Sequence, residues 1–335
     1  MKIAFVGKGG SGKTTLAALF ARYAAEQGRS VLAIDADINQ HLATAIGMMP
    51  GEAASLPPMG LQIDRIKEHL RGDNPKIAST AAMIKTTPPG QGSRLLTLGG
   101  SNPIFDHFIR QKDKIDLMAV GPFDEGDIGT RCYHSKTGSV ELLLNHLIDN
   151  ERDCVVVDMT AGADAFASGL FTRFDLTVLV VEPTLRSLVV YDQYRSYARD
   201  HDVVIRVMAN KLEDADDQDF VRDHVGENLI GGLSRSPFIK AMEKGRTLPI
   251  SDLEPANRDA LDALLLSVDR QKKDWDRYHR DAVLFHRRNA ASWANEATGS
   301  DLTHQIDPDF SMSEAAAAIL CSAAILGKRS FDRAA

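Results

Sequence analysis

The chain has 335 residues, of which 44% are hydrophobic and 25% are charged, a globular composition that excludes general disorder and fibrous repeats. At roughly 150 residues a domain, this length favours two domains or one large domain with an appendage. The 39 Lys and Arg residues against 46 Asp and Glu residues give a net charge of −7, which excludes a protein that holds bulk nucleic acid by charge alone.

Apolar strands alternate with helices over most of the chain. The pattern predicts strands at residues 2–6, 30–34, 116–120, 153–158, 176–181 and 203–209, and helices at residues 16–27, 140–149 and 186–200. Each strand is a continuous apolar run, which is typical of a parallel sheet covered on both faces. The predicted fold class is therefore α/β, with a doubly wound, mainly parallel sheet flanked by helices.

The composition of the chain changes near residue 268. Residues 268–295 are highly charged with a helical period, and residues 312–326 form a small-residue apolar helix. We therefore expect a main domain of residues 1–267 and a C-terminal helical extension of residues 268–335.

The extension carries an aromatic stripe and two histidines. Trp275, Tyr278 and Phe285 share one helix face, which favours docking onto the main domain. His279 and His286 are seven residues apart, and arginines follow His286 directly. We expect these histidines to lie on a solvated or partner-facing stripe rather than to form a ligand pair.

The cysteines and the apolar runs of the sequence indicate the cellular compartment of the protein. Cys132, Cys154 and Cys321 are too few and too scattered for a disulfide framework, and Cys154 and Cys321 are expected to pack rather than react. The first residues lack the basic region and long apolar stretch of a secretory signal. No run reaches the roughly 18 apolar residues of a spanning helix. We expect a cytoplasmic protein with no integral membrane segment.

The loop after the first strand carries the strongest motif. Residues 7–14 read GKGGSGKT, which satisfies GxxxxGK[ST] between a strand and a helix. Glycine amides and the helix N-terminus attract phosphate oxygens, Lys13 reaches the β- and γ-phosphates, and Thr14 ligates Mg²⁺. The pattern predicts ATP and Mg²⁺ as ligands, with binding residues Gly9, Gly10, Ser11, Gly12, Lys13, Thr14 and Thr15.

Lys8 adds a second signal within the loop. A lysine directly after the first glycine gives the KGGxGKTT form of the loop. In this form the chain resembles the deviant Walker A ATPases, which include division-site and plasmid-partition ATPases, nitrogenase iron protein and arsenite-pump ATPases. The resemblance implies a homodimer closed around two ATP molecules, in which Lys8 of each subunit reaches the nucleotide of the other. The alternative for Lys8 is a solvated loop lysine.

Three acidic residues and a glycine match further motifs of that family. Asp35 and Asp37, at the end of the second strand, resemble its switch I. The resemblance implies that Asp37 orients or deprotonates the attacking water and that Asp35 lies near the metal. Asp158 begins a DxxAG segment that ends at Gly162, which implies that Asp158 holds Mg²⁺ through water and Gly162 senses the γ-phosphate. A helix cap or turn residue is the alternative for each aspartate.

Two later positions resemble the family's nucleoside site. Asn210 follows a predicted strand, and its side chain can match the amino and N7 edge of adenine. Pro237 resembles the segment that closes over the base. An ordinary loop residue is the alternative for both.

Within the family, roughly residues 1–250 are most similar to the CO-dehydrogenase maturation, or nickel-insertion, ATPases. In that branch a Cys-x-Cys pair binds metal at the dimer interface, whereas this chain has Cys132 and His134 at the aligned stretch. Thiolate and imidazole both suit Zn²⁺ or Ni²⁺, and two copies supply four ligands. A plain loop cysteine and histidine remain the alternative, because two ligands at this spacing also occur by chance.

These motifs predict an ATP hydrolase whose catalytic residues are Lys8, Lys13 and Asp37. The favoured role is a maturation factor that delivers metal to, or reshapes, a client metalloenzyme; no nucleic acid is expected as partner. The alternative is a positioning ATPase of the partition or division type that acts on a DNA or membrane surface. A targeting ATPase that shelters a hydrophobic helix is a weaker third class, because residues 48–110 show no Met- and Leu-rich segment.

Overall fold

The computed structural model of the chain describes residues 1–122, 133–162, 166 and 168–331, without the side chains of residues 133–135 and 323–331. Its strands are β1 (Lys2–Gly7), β2 (Ser30–Ala36), β3 (Leu96–Thr97), β4 (Arg110–Lys112), β5 (Ile115–Ala119), β6 (Leu147–Ile148), β7 (Asp153–Met159), β8 (Leu176–Val181), β9 (Ile205–Leu212) and β10 (Leu229–Ser234). Its helices are α1 (Lys13–Glu26), α2 (Leu42–Ile46), α3 (Pro50–Ala53), α4 (Ile63–Arg71), α5 (Pro103–Phe108), α6 (Tyr133–Asn145), α7 (Leu185–Ala198), α8 (Ala215–Val225), α9 (Pro237–Glu243), α10 (Pro255–Asp269), α11 (Trp275–Asn289), α12 (Asn295–Thr298) and α13 (Met312–Phe331).

The central sheet has the strand order β10-β9-β8-β1-β7-β2-β5-β4. Neighbouring strands are parallel from β10 to β5, and β4 pairs antiparallel with β5. Strand β1 lies between β7 and β8, so the loop that follows it opens near the middle of the sheet's carboxyl edge, where ligands bind in doubly wound folds. The predicted fold class is confirmed.

Apolar layers cover both faces of the sheet. In β1, Ala4 and Val6 face one layer, and Ile3 and Phe5 face the other. Side chains of α6 and α7 contribute to the first layer, and those of α1 and α10 to the second. Burial on both faces explains why the strands read as continuous apolar runs rather than alternating ones.

Several element bounds differ from those predicted. The helix predicted at residues 140–149 is α6, which ends at Asn145 and is followed by the short strand β6. Helix α1 begins three residues earlier than predicted, inside the glycine-rich motif. Strand β9 extends to Leu212, so Asn210 lies within a strand rather than after one.

Two aromatic residues of the predicted stripe contact residues that precede α11 in the chain. The Tyr278 hydroxyl donates to the Leu144 carbonyl at 2.8 Å. The Phe285 ring lies edge-on to Phe171, with 5.5 Å between ring centroids. Helix α10 crosses the predicted boundary at residues 267/268 by two residues, and α11 continues into a π-helical turn at Ala290–Ala294.

The expectation of a solvated stripe at His279 and His286 is wrong. His286 is fully buried, its Nε2 donates to the Leu302 carbonyl at 2.9 Å, and its Nδ1 lies 3.3 Å from the Thr86 hydroxyl. His279 is half-buried with its ring 5.4 Å from that of Phe310. The exposed arginines that follow His286 occupy the next positions around the helix and do not fix its direction.

Within the described part of the chain, no helix has both the length and the apolar character needed to cross a membrane.

Candidate functional site

The glycine-rich loop joins β1 to the first turn of α1. The Ser11 amide donates to the Lys8 carbonyl at 3.1 Å and closes the loop into a turn. Gly12 caps the helix with φ +92°, and a Cβ there would collide with the Asn210 amide. Glycine is therefore required at this position both for backbone conformation and for space. The first amides of a helix lack intrahelical partners, so a helix that begins directly after this loop is an anion-binding arrangement.

Two side chains of α1 reach aspartates at the ends of neighbouring strands. The Lys13 ammonium forms a nearly buried ion pair with the Asp37 carboxylate. The Thr14 hydroxyl donates to Asp158 Oδ2 at 2.6 Å. The structure thus brings together four of the residues that the motifs predict for phosphate and metal binding.

Asp35 and Asp158 form a pair of buried carboxyl groups at the sheet edge. They lie opposite each other in the register of β2 and β7. Burial raises the pKa of Asp158 to about 7, and Asp37 adds to this while Lys13 and Thr14 oppose it. Burial, followed by the Asp158 carboxyl, holds the pKa of Asp35 well above its usual value. Two carboxyl groups that are costly to ionise together are an arrangement that a cation stabilises.

These residues fit Mg²⁺. Asp158 Oδ1 is buried and has no hydrogen-bond partner among the described residues. Mg²⁺ binds oxygen ligands, commonly one or two carboxylates plus phosphate oxygens and water. Asp158 and Thr14 would hold the ion, and Asp35 would lie behind them, since both its carboxylate oxygens already accept backbone amides, from Asp37 at 3.1 Å and Leu42 at 2.8 Å.

Asn210 and Lys211 support the glycine-rich loop from β9. Asn210 Nδ2 donates to the Ser11 carbonyl at 2.7 Å, and Lys211 Nζ donates to the Gly10 carbonyl at 2.6 Å. Lys211 also pairs with Glu182 at the end of β8. One N–H of the Asn210 amide is therefore committed to the loop, and its second N–H and carbonyl oxygen have no hydrogen bond within the described part of the chain.

A cavity of about 770 Å³ opens beside these residues. Its lining includes Thr15 on α1, Asn210 and Lys211 on β9, and Pro237 at the first position of α9. The Ser236 hydroxyl caps α9 by accepting from the Ile239 amide at 2.9 Å. The two positions predicted for the nucleoside thus line one cavity next to the loop.

The remaining predicted residues lie around the loop or outside the described part. Lys8, Gly9 and Gly10 are exposed at the loop's tip. Gly162 has φ +81°, and its carbonyl accepts from the Tyr194 hydroxyl at 2.7 Å. Cys132 lies outside the described residues, as does the side chain of His134, whose backbone is in the first turn of α6. Among the residues that are described, no cluster of three or more His, Cys, Asp or Glu side chains is arranged to hold a metal.

Sequence reasoning missed the support that Lys211, Glu182 and Tyr194 give to the site. Lys211 follows Asn210 directly, so its proximity to the loop was inferable once Asn210 was placed there. Tyr194 is one of three tyrosines in α7. Their spacing in the sequence does not show which of them packs in the core and which donates a hydrogen bond to a loop.

Comparison with known proteins identifies the family. The sequence pattern of the CobQ/CobB/MinD/ParA nucleotide-binding domain matches residues 3–249. The chain belongs to this family. This match and the relatives described next identify the chain as a P-loop ATPase.

Curated relatives cover most of the chain. The carbon monoxide dehydrogenase accessory protein CooC of Rhodospirillum rubrum is 32% identical over 270 residues, which are 80% of this chain and 96% of that protein. An uncharacterized ATP-binding protein of Methanocaldococcus jannaschii is 29% identical over 239 residues, which are 69% of this chain and 84% of that protein. The resemblance inferred from the motifs is therefore confirmed.

Solved structures share the fold. A ParA family ATPase from Chlorobium tepidum has a TM-score of 0.55 at 16% identity, covering 79% of this chain and 98% of its own. A chain of the MinC:MinD cell division protein complex of Aquifex aeolicus has a TM-score of 0.52 at 19% identity, covering 82% and 97%. At these identities the likeness concerns the fold alone.

Proposed function

We propose that this ATPase is Mg²⁺-dependent, closes as a homodimer around two ATP molecules, and serves in the maturation of a metalloenzyme. The observation that carries the maturation role is the 32% identity with the CO dehydrogenase accessory protein over 96% of that protein's length. We also propose that residues 1–267 form the ATPase domain and residues 268–335 an extension that packs on it.

The Lys13–Asp37 ion pair supports a specific use of the two side chains. Lys13 is the ligand for the β- and γ-phosphates, so an incoming triphosphate competes with Asp37 for its ammonium group. The Asp37 carboxylate, released from Lys13, then orients the attacking water. Thr14 and Asp158 would hold Mg²⁺, which would supply positive charge to the phosphate oxygens.

The cavity beside the loop supports recognition of the nucleoside. Asn210 retains a carbonyl oxygen and a second N–H for the amino and N7 edge of adenine. Pro237 lines the same cavity and would close over the base. Thr15, which follows the phosphate-binding residues Lys13 and Thr14, also lines this cavity.

Dimer closure is tested by substitution of the two lysines of the loop. Lys13→Ala removes the phosphate ligand and is expected to abolish ATP binding in calorimetry. Lys8→Ala is expected to leave binding to the monomer intact, but to lower turnover and ATP-driven dimerisation by tenfold or more, since an interaction with transition-state charge is lost. Sizing with a non-hydrolysable ATP analogue measures dimerisation.

The matched control for Lys8 is Lys76→Ala, another exposed loop lysine. It should dimerise and turn over like the wild-type protein. A Lys8→Ala protein that behaves in the same way refutes the trans role of Lys8, and an absence of ATP binding in the wild-type protein refutes the whole proposal.

The maturation role is tested by metal analysis. We expect the ATP-bound dimer to hold stoichiometric Zn²⁺ or Ni²⁺ and to lose it in Cys132→Ser and His134→Ala. Cys321→Ser is the control, because Cys321 is exposed on α13, contrary to the expectation that it packs. Failure of the wild-type dimer to hold either metal contradicts metal delivery. ATP-dependent co-sedimentation with DNA or lipid vesicles in place of metal binding identifies a positioning ATPase instead.

A further inference from the structure

Tyr194 of α7 bonds directly to the segment that follows β7. Its side chain is 1% exposed, and its hydroxyl donates to the Gly162 carbonyl at 2.7 Å. Gly162 is the last residue of the segment DMTAG, which starts at Asp158. A buried tyrosine hydroxyl on a backbone carbonyl is a directed contact, because the ring restricts where the hydroxyl can point.

Gly162 is a residue whose backbone needs such a support. Its φ of +81° is a conformation that glycine adopts easily and other residues rarely do. A Cβ at this position would meet no atom of the described residues within 4 Å, so none of them packs against that side of Gly162. The contact with Tyr194 is therefore a restraint on a residue that has several accessible conformations.

The Tyr194 ring is itself fixed by other aromatic rings. It lies edge-on to Phe166 with 4.8 Å between centroids, and Phe166 contacts Phe171 at 4.7 Å. Phe171 in turn lies against Phe285 of α11. Hydroxyl placement is thus determined by a packed cluster that reaches from α7 to the C-terminal extension.

We propose that Tyr194 is a positioning residue that sets the backbone of Gly162 for its contact with the γ-phosphate. This inference rests on the proposed function, in which Gly162 senses that phosphate. Tyr194 acts through its hydrogen bond to Gly162, so its hydroxyl matters for ligands that carry a γ-phosphate and for turnover. It does not matter for ADP, which engages the glycine-rich loop but has no γ-phosphate.

Tyr194→Phe tests this role because it keeps the ring and removes only the hydroxyl. We expect kcat for ATP to fall about threefold to tenfold, the effect of one lost hydrogen bond. The Kd for ADP is expected to stay within twofold of the wild-type value. A non-hydrolysable ATP analogue is expected to bind more weakly, so its affinity relative to ADP falls.

Tyr191→Phe is the matched control. Tyr191 is equally buried, lies one turn earlier on α7, and its hydroxyl accepts from Asn228 Nδ2 at 2.9 Å, away from the segment of Gly162. We expect this variant to keep the wild-type kcat and the wild-type ratio of the two affinities. Equal values for Tyr194→Phe, Tyr191→Phe and the wild-type protein overturn the inference.

The measurements separate the possible failures. A ratio of two affinities does not depend on the fraction of folded protein, so it decides the matter even if Tyr194→Phe lowers the Tm. A parallel loss of ADP affinity in Tyr194→Phe indicates a merely structural role and also overturns the inference. A wild-type protein that does not distinguish the ATP analogue from ADP and does not hydrolyse ATP refutes the proposed function instead.

Discussion

Glu141 is a carboxyl group that α6 holds in an apolar environment. It is 2% exposed, and burial raises its pKa to about 7. The Lys85 ammonium and the Arg173 guanidinium lower this pKa, but by less than burial raises it. Hydrogen bonds from Ser168 and Gly169 act in the same direction as the two cations. Folding therefore favours the protonated form of Glu141.

The pKa of Glu141 predicts how stability depends on pH. Its stabilising contribution is complete below the ordinary pKa of 4.5 and is lost as the pH rises to about 7. Over that interval the loss amounts to roughly 3 kcal/mol in the free energy of unfolding. Glu141→Gln has no such titration, so its Tm should rise relative to the wild-type Tm between pH 5 and pH 7.5. Thermal unfolding at both pH values measures the difference.

Glu68→Gln is the control for Glu141→Gln, since Glu68 is exposed on α4. Its Tm should follow the wild-type Tm at both pH values. If the Tm of Glu141→Gln also follows the wild-type Tm at both pH values, then ionisation of Glu141 does not lower the stability of the folded protein.

At the residue scale, the sequence predicts the positions of residues that belong to a local motif with a fixed backbone geometry. The loop of residues 7–14 requires glycine amides and a helix start, so its geometry follows from the pattern, and Lys13 and Thr14 lie where expected. His286 was not predictable, because its burial depends on Leu302 and Thr86, which are distant in sequence. The hydrogen bond from Tyr194 to Gly162 was not predictable for the same reason, because the two residues are distant in sequence.

At the element scale, short apolar segments are where the prediction failed. Residues 140–149 contain enough leucine and isoleucine to suit one continuous helix. In the structure, Leu147 and Ile148 instead pair in parallel with β3. An apolar run this short is compatible with the period of a helix and with that of a strand. Its partner strand β3 has only two residues and gives little signal of its own. By contrast, β1, β7 and β8 are long continuous apolar runs, and all three were predicted to within one residue.

The charged segment after α10 shows a second limit. Its helical period predicted one helix over residues 268–295, but α10 ends at Asp269 and α11 begins at Trp275. The Asp274 carboxylate accepts from the Arg277 amide at 2.8 Å and caps α11. An aspartate before a helical period is a start signal, and it was hidden by the many charged residues around it.

At the scale of the whole molecule, a buried charge cluster joins the extension to the sheet. Lys273, which lies just before α11, forms ion pairs with Asp149 at 2.7 Å and with Asp175. Asp149 also pairs with Lys2 of β1 at 2.5 Å, and both of these side chains are fully buried. The Tyr278 ring lies 4.4 Å from the Lys2 ammonium. Lys273 is therefore one of three cations, with Lys2 and the Met1 ammonium, that compensate two buried carboxylates.

Lys273→Met should destabilise the protein. The substitution preserves apolar length but leaves Asp149 and Asp175 with less compensating charge, and breaking a buried ion pair costs about 3 to 5 kcal/mol. We expect a lower Tm and faster proteolysis of residues 268–335. Affinity for ATP should change little, because Lys13 and Asp37 lie at the opposite, carboxyl edge of the sheet.

Two further measurements make the test of Lys273 specific: the pH dependence of the Tm, and a control substitution of the neighbouring Lys272. The cations hold the pKa of Asp149 well below its ordinary value of 3.8, so the stability from this cluster is present above that value and is lost as the pH falls below it. The Tm difference between Lys273→Met and the wild-type protein should therefore persist at neutral pH and shrink in strong acid. Lys272→Met alters an exposed lysine and should keep the wild-type Tm. If both variants melt alike at pH 7, the ion pairs of Lys273 contribute nothing to the docking of the extension.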